Sequence, residues 1–307
     1  MGHTIGALVT EHIAVGLVEN NELVGTVRRF PDAGDFRDVL EGMPAEEIVR
    51  LVGQEIEQVS RDVEVAAVGV GFPGINRNGL VEDSPNLKQT KGLNVAEALS
   101  SLLGEKGIGA HVHVLNDAAA LAAGVAATRG QLDKLVRVWF LGVGVGLGRY
   151  PQQASGFLEG GHTVVTLDPK ENFCGCGGVG HLEGIVGHRS MRLRFLDLEP
   201  EEVFEQAAAG DVRCGEFLKL WHRALAAGTA TSVHLDGPGK FYISGPNAGH
   251  VQVNLLDQYL HEMVKMSPLQ GSAFEVIPTS DVTALIGAAV SATHAAQVHS
   301  TQLQDSV

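Results

Sequence analysis

The sequence predicts an α/β protein built from two similar domains facing one another across a cleft. Short β-branched runs alternate with longer stretches of helical spacing, and three strands joined by tight polar turns open the chain. The pattern of strand, hairpin and helices then recurs in the second half. At 307 residues the chain is long enough for two domains with sizeable cores.

The elements follow in order. Residues 4–9, 13–19 and 22–30 read as strands, the last two joined by the turn Glu19-Asn20-Asn21-Glu22. Across residues 44–62, Ile48, Leu51, Val52, Ile56 and Val59 fall on one helical face. The apolar run 65–71 stops in Gly71-Phe72-Pro73-Gly74, a strand entering a turn; a helix over 94–103 and a strand over 110–115 follow. Three antiparallel strands and then strand–helix–strand units predict a mixed, largely buried sheet. In the second half, an Ala-rich helix (118–128) precedes a strand (135–141) that opens into Gly142-Val143-Gly144-Val145-Gly146-Leu147-Gly148. Beyond an irregular Gly/Cys/His-rich stretch, helices are expected over 191–197, 201–209 and 214–235. A strand over 241–244 ends in Gly245-Pro246-Asn247, helices over 254–263 and 282–294 follow, and the polar tail from Gln297 is expected to fray.

Composition removes several classes. Lys and Arg number 22 against 36 Asp and Glu, a formal charge of −14, so the electrostatic footprint of a duplex-binding protein is missing. Three cysteines make no disulfide framework and fit a reducing compartment. No basic stretch leads into an apolar run at the N-terminus, and no segment reaches about 18 uninterrupted apolar residues. A cytoplasmic protein with neither a membrane nor a nucleic-acid partner is expected. Its 39 glycines are the unusual feature.

The strongest local signal is Glu159-Gly160-Gly161-His162 followed by Cys174-Gly175-Cys176-Gly177-Gly178-Val179-Gly180-His181-Leu182-Glu183. Two thiols one residue apart, flanked by histidines and separated by glycines, can wrap four ligands around a tetrahedral Zn²⁺. The bland alternative is a glycine-rich turn with two free cysteines. A Cys174–Cys176 disulfide would close a small, strained ring.

These residues resemble the ROK family of bacterial sugar kinases and sugar-responsive repressors. Its pattern is Glu-x-Gly-His, then Cys-x-Cys-Gly-x-x-Gly-Cys-x-Glu, with His181 here in place of the third cysteine. The likeness runs from the first strand to about Ala296, and further landmarks fall in order. Gly71-Phe72-Pro73-Gly74 is similar to the family's Gly-x-Pro-Gly, and Ser84-Pro85-Asn86-Leu87 to its Pro-Asn-Leu. Leu115-Asn116-Asp117-Ala118 is similar to its Glu-Asn-Asp-Ala, and Ser244-Gly245-Pro246 stands at a Gly-Gly that lines the nucleotide base.

The resemblance implies the actin-like ATPase (ribonuclease H-like) fold. The smaller domain would comprise residues 1–116 plus about 283–307, the larger one 117–282. It implies phosphoryl transfer from ATP, with Mg²⁺, to a hexose or hexose-like hydroxyl, with Asp117 as the base. Gly74, Asn86, Asn116, Asp117, Glu159, His162 and Glu183 would hold the sugar. Thr10, Gly142, Gly144, Gly146 and Gly245 would meet the nucleotide, and His162, Cys174, Cys176 and His181 a structural Zn²⁺. Dimers are common in the family, so a homodimer is expected. The family's repressors carry an N-terminal helix-turn-helix, whereas here the first strand begins at about Thr4. A hydroxyl is a poor nucleophile and needs a carboxylate to accept its proton, which suits Asp117. Asn116-Asp117-Ala118 also reads as a helix N-cap, and both readings can hold. Taken singly, Glu159 and Glu183 would be solvated surface charges.

The phosphate side departs from the family. Its Asp-x-Gly-Gly-Thr-Lys hairpin is here one residue shorter and reads Ala7-Leu8-Val9-Thr10-Glu11-His12, with Ala7 or Leu8 at the Mg²⁺-organising Asp. Glu11 beside a phosphate would cost about 4 kcal/mol at 4 Å and a near-surface dielectric. In the second loop Val143 replaces a threonine, a loss of about 1.5–3 kcal/mol for a hydrogen bond to a charged group. Leu147 is expected to crowd an anion's approach, and the stretch from Arg149 to Glu159 is several residues shorter. The same residues therefore also support a catalytically silent relative that binds a sugar or sugar phosphate as a sensor.

Overall fold

The computed structural model describes residues 3–32, 39–61, 63–152 and 158–304, so part of the short stretch after Arg149 lies outside the described residues. The chain divides into two compact units, residues 1–136, 148–157 and 280–307 forming the first and residues 137–147 and 158–279 the second.

The first unit is built on a five-stranded sheet. Strands β1 (His3–Val9), β2 (Ile13–Glu19) and β3 (Glu22–Phe30) pair antiparallel, while β4 (Val65–Phe72) and β7 (His111–Asn116) run parallel to β1, giving the order β3-β2-β1-β4-β7. The central strands are buried on both faces, which is why they read as continuous apolar runs. Helix α1 (Ala45–Val59) buries Ile48, Val49, Leu51, Val52 and Ile56 on one stripe, and α2 (Val95–Glu105) starts at Asn94, whose side chain accepts the Glu97 N–H at 3.1 Å. A two-stranded ribbon, β5 (Ile75–Arg77) and β6 (Leu80–Asp83), turns through Asn78 and Gly79, both at positive φ.

Helix α3 (Asp117–Thr128) packs along α9 (Asp281–Gln304). Glycine permits that approach: a Cβ on Gly124 would run into the Thr283 carbonyl, and one on Gly287 into the Ala120 carbonyl. Because α3 is welded to α9 and the sheet, the division falls after Val136 and not after Asn116, where the expected boundary lay. The tail expected to fray from Gln297 continues as helix to Gln304.

A four-stranded sheet, most of it in the second unit, holds β8 (Val136–Leu141), β9 (Val145–Tyr150, of which residues 148–150 count with the first unit), β10 (Lys240–Ser244) and β11 (Ala273–Val276) in the order β11-β10-β8-β9. The helices of the second unit are α4 (Glu183–Val186), α5 (His188–Arg194), α6 (Pro200–Ala208), α7 (Val212–Asp236) and α8 (Val253–Met263). Trp139 and Trp221 are fully buried in its core, and their ring N–H groups donate to Thr229 Oγ1 at 3.0 Å and to the Val186 carbonyl at 3.2 Å. Leu147 belongs to this core, 6% exposed and packed on Gly160, so its side chain does not do the crowding expected of it. Among the described residues no helix is long and apolar enough to cross a membrane.

Candidate functional site

In the first unit the chemistry gathers where β4 and β7 end. Phe72 pairs with Asn116 at the last rung of their ladder. Asn116 is the N-cap of α3: its Oδ1 accepts the N–H groups of Ala118 at 2.9 Å and Ala119 at 3.3 Å, while its Nδ2 donates to the Gly74 carbonyl at 3.0 Å. Asp117 is the first helical residue and also accepts the Ala118 N–H, at 2.9 Å. Part of its surface stays open, yet the packing around it desolvates the carboxyl and raises its pKa above the ordinary value. Gly71 lets β4 pass under this turn, since a Cβ there would lie 3.2 Å from that of Ala120 and 3.6 Å from the Asp117 Cα.

Gly74, at φ +91°, lies against Asp83 and Ser84, where a Cβ would press on the Ser84 Cα at 2.7 Å. That contact brings the turn beside Ser84-Pro85-Asn86-Leu87, in which buried Ser84 accepts the Leu87 N–H at 3.3 Å and Asn86 is exposed. Gly74, Asn86, Asn116 and Asp117 thus belong to neighbouring turns of one unit.

Thr10, Glu11 and His12 form the β1–β2 turn, closed by the Thr10 N–H to the His12 carbonyl at 3.0 Å. His12 Nε2 lies 3.1 Å from Asp281 Oδ2, and the Arg29 guanidinium donates to the same oxygen at 3.2 Å. The hydrogen bond from His12, with the charges of His12 and Arg29, holds the Asp281 carboxyl below its usual range. Neither Arg29 nor Asp281 was picked out from the sequence. Asp281 carried one signal, an acidic residue opening a helix, but its partner lies 269 positions away.

In the second unit the glycine loop turns from β8 into β9, with the Gly142 N–H donating to the Gly144 carbonyl at 3.0 Å and Val143 half exposed at the tip. Gly146 lies on β9. Glu183 Oε2 accepts the Val145 N–H at 3.0 Å and sits where a Cβ on Gly144 would fall. Its other oxygen lies 3.5 Å from Cys174 Sγ and 3.9 Å from His162 Nε2. Glu159 caps a short turn whose His162 N–H donates to its carbonyl at 3.0 Å, and Gly160 and Gly161 allow that turn to lie on Leu147 and Val145. Gly245, at φ +104°, donates to Thr279 Oγ1 at 3.0 Å after β10.

His162, Cys174 and Cys176 bring one ligand atom each within 4.8 Å of one another, and the two sulfurs are 3.3 Å apart. One imidazole and two thiols match the nitrogen and sulfur preference of zinc. His181 Nδ1 touches Cys176 Sγ at 3.3 Å and its ring stacks on His162 at 5.3 Å, but it stands outside the three-way group. Burial pushes the Cys174 thiol up to about 12 and the His181 pKa down.

A model of the ROK family matches residues 12–295. A glucokinase of Pyrobaculum calidifontis is 30% identical over 252 residues, 76% of this chain and 81% of that protein. A glucokinase of Thermotoga maritima is 34% identical over 174 residues, 52% of this chain and 51% of that one. A ROK hexokinase from Thermus thermophilus superposes with a TM-score of 0.75 at 22% identity, covering 96% of this chain and 99% of that chain. A ROK glucokinase from Streptomyces griseus, solved with glucose and AMPPNP, gives a TM-score of 0.70 at 22% identity over 95% and 100% of the two chains. These likenesses show the fold, that of the actin-like ATPases.

Proposed function

The chain belongs to the ROK family, and from that premise we propose that it is a sugar kinase transferring the terminal phosphoryl group of ATP to a hexose or hexose-like hydroxyl. The observation that carries the reading is the seating of Asp117. Its carboxylate stands at the head of α3, fixed through the Asn116 cap to the Gly74 carbonyl at 3.0 Å. Asp117 accepts the proton of the attacking hydroxyl, and its raised pKa brings its basicity closer to that task. Gly74, Asn86, Asn116, Glu159, His162 and Glu183 orient the remaining hydroxyls. Thr10, Gly142, Gly144, Gly146 and Gly245 are the nucleotide contacts, and Mg²⁺ accompanies ATP.

His162, Cys174 and Cys176 would hold Zn²⁺, with His181 as the fourth ligand in place of the family's cysteine. Zinc supplies structural closure of the loop and no step of the transfer. The protein acts in the cytoplasm, as a homodimer.

A second reading, a sugar-binding relative without catalysis, is favoured by one corner of the first unit. Asp281 sits between His12 and Arg29 at 3.1 and 3.2 Å and offsets the Arg29 cation beside the β1–β2 turn, where Glu11 adds a further negative charge. Calorimetry with Mg²⁺ and ATP, with and without sugar, separates the two. The kinase reading expects ATP to bind at millimolar concentration or tighter. Sugar binding without ATP binding would leave the second reading.

A further inference from the structure

Asn76 fills the inner side of the reversal that follows β4. It is 7% exposed, and its Nδ2 donates to the carbonyls of Phe72 at 2.8 Å and Gly74 at 3.3 Å. The orientation of the amide follows from its neighbours, because two carbonyl oxygens accept and cannot donate, so the NH₂ faces them. Asn76 Oδ1 is then buried without a hydrogen-bond partner. An apolar residue of similar size would fill the position without that penalty, so the two donations set the side-chain chemistry here.

Both carbonyls lead to the base. Phe72 is the register partner of Asn116, and the Gly74 carbonyl that Asn76 holds is the one to which Asn116 Nδ2 donates at 3.0 Å. The other end of Asn116 caps α3 through Ala118 and Ala119. Gly74 is at φ +91°, a backbone state that other residues rarely adopt and that its two donors help to hold.

We infer that Asn76 is a positioning residue: with Asn116 it clamps the Gly74 carbonyl from two sides, and the clamp fixes where α3 presents the Asp117 carboxylate. The inference rests on the kinase reading for its catalytic consequence, though not for the clamp itself. Misplacing a reacting group by about 1 Å can cost about 100-fold in rate. Loss of the clamp therefore lowers turnover more than it weakens sugar binding.

The test compares wild type with Asn76→Ala, Asn76→Asp, Asn116→Ala and the Asn76→Ala/Asn116→Ala pair, each at a temperature where circular dichroism shows it folded. Asn76→Asp keeps the shape and sets oxygen against both carbonyls; Asn76→Ala covers the case in which that variant does not fold. For the two Asn76 variants the expected result is a fall in kcat of about 10–100-fold with the sugar KM changed less than about threefold, whereas Asn116→Ala, which also removes a sugar contact, raises KM as well. The acid limb of the pH–rate profile is expected to shift. The double variant should lose less than the product of the two single losses, since both act through one carbonyl. Unchanged kcat, losses confined to melting temperature, or losses that multiply in the double variant would overturn the proposal.

If wild type transfers phosphate to no sugar, the kinase reading falls and a second readout decides the clamp. Carbon NMR of the Asp117 carboxyl in ligand-free protein should show its titration midpoint displaced in Asn76→Ala and, in the same direction, in Asn116→Ala. A midpoint unmoved by Asn76→Ala overturns the clamp.

Discussion

Glu183 joins the glycine loop to the cysteine loop: one oxygen accepts the Val145 N–H at 3.0 Å, and the other lies 3.5 Å from Cys174 Sγ and 3.9 Å from His162 Nε2. A carboxylate in that position holds the start of β9 and faces the proposed ligands together. Glu183→Gln keeps the shape but removes the charge. Zinc affinity, measured by competition with a chromophoric chelator, should fall about 10–100-fold, as for other residues that orient metal ligands. Sugar affinity by calorimetry should fall with it. Unchanged metal affinity would separate Glu183 from the cysteine loop.

Asp117→Asn keeps the cap and the volume of the side chain while removing its basicity. Turnover should drop by about 10²–10⁴-fold with sugar affinity nearly retained. Burial raises the Asp117 pKa, so the active, ionised form is populated only above a value higher than an ordinary carboxylate's. The rate of the wild type should therefore rise with pH through that raised value, and a pH–rate profile flat down to the usual carboxylate range would contradict the assignment.

Val143 stands half exposed at the tip of the glycine loop, where the family carries a threonine. Val143→Thr offers a hydroxyl to a charged group, worth about 1.5–3 kcal/mol. ATP affinity by calorimetry should tighten about 10- to 100-fold, with sugar affinity unchanged. Glu11→Thr, which removes the like charge, should act in the same direction and more strongly at low salt.

His113 on β7 is pushed down to about 4 from an ordinary 6.5, by burial first and then by the charges of His111 and His294. The unfolded chain takes up this proton near 6.5 and the folded one only near 4. The stability His113 contributes is thus complete above 6.5 and is lost as pH falls between those values, up to about 3 kcal/mol. Urea midpoints measured from pH 7 to 4 should fall, and His113→Gln should flatten the slope.

The apolar runs of β1, β4 and β7 and the helical stripe of α1 were legible because burial imposes its period on the sequence. The Asn116 cap was legible because a short polar side chain that accepts the first free N–H groups of a helix is a local signal. The ribbon of β5 and β6 was missed although Asn78-Gly79 is a hairpin signal, because its strands are only three and four residues long. Leu147 follows a glycine-rich run that reads as loop, yet it belongs to the core, since side-chain direction in a glycine-rich strand is set by the packing of Gly160 against it. The Asp281 pairing with His12 and the Asn76 clamp depend on contacts between turns, which no local pattern encodes.

The most direct test of the central claim is transfer of labelled phosphate from ATP, with Mg²⁺, to a panel of hexoses and amino sugars. The account predicts transfer that depends on sugar and is nearly abolished by Asp117→Asn. No transfer to any member of the panel, from protein that binds a sugar by calorimetry, would contradict it.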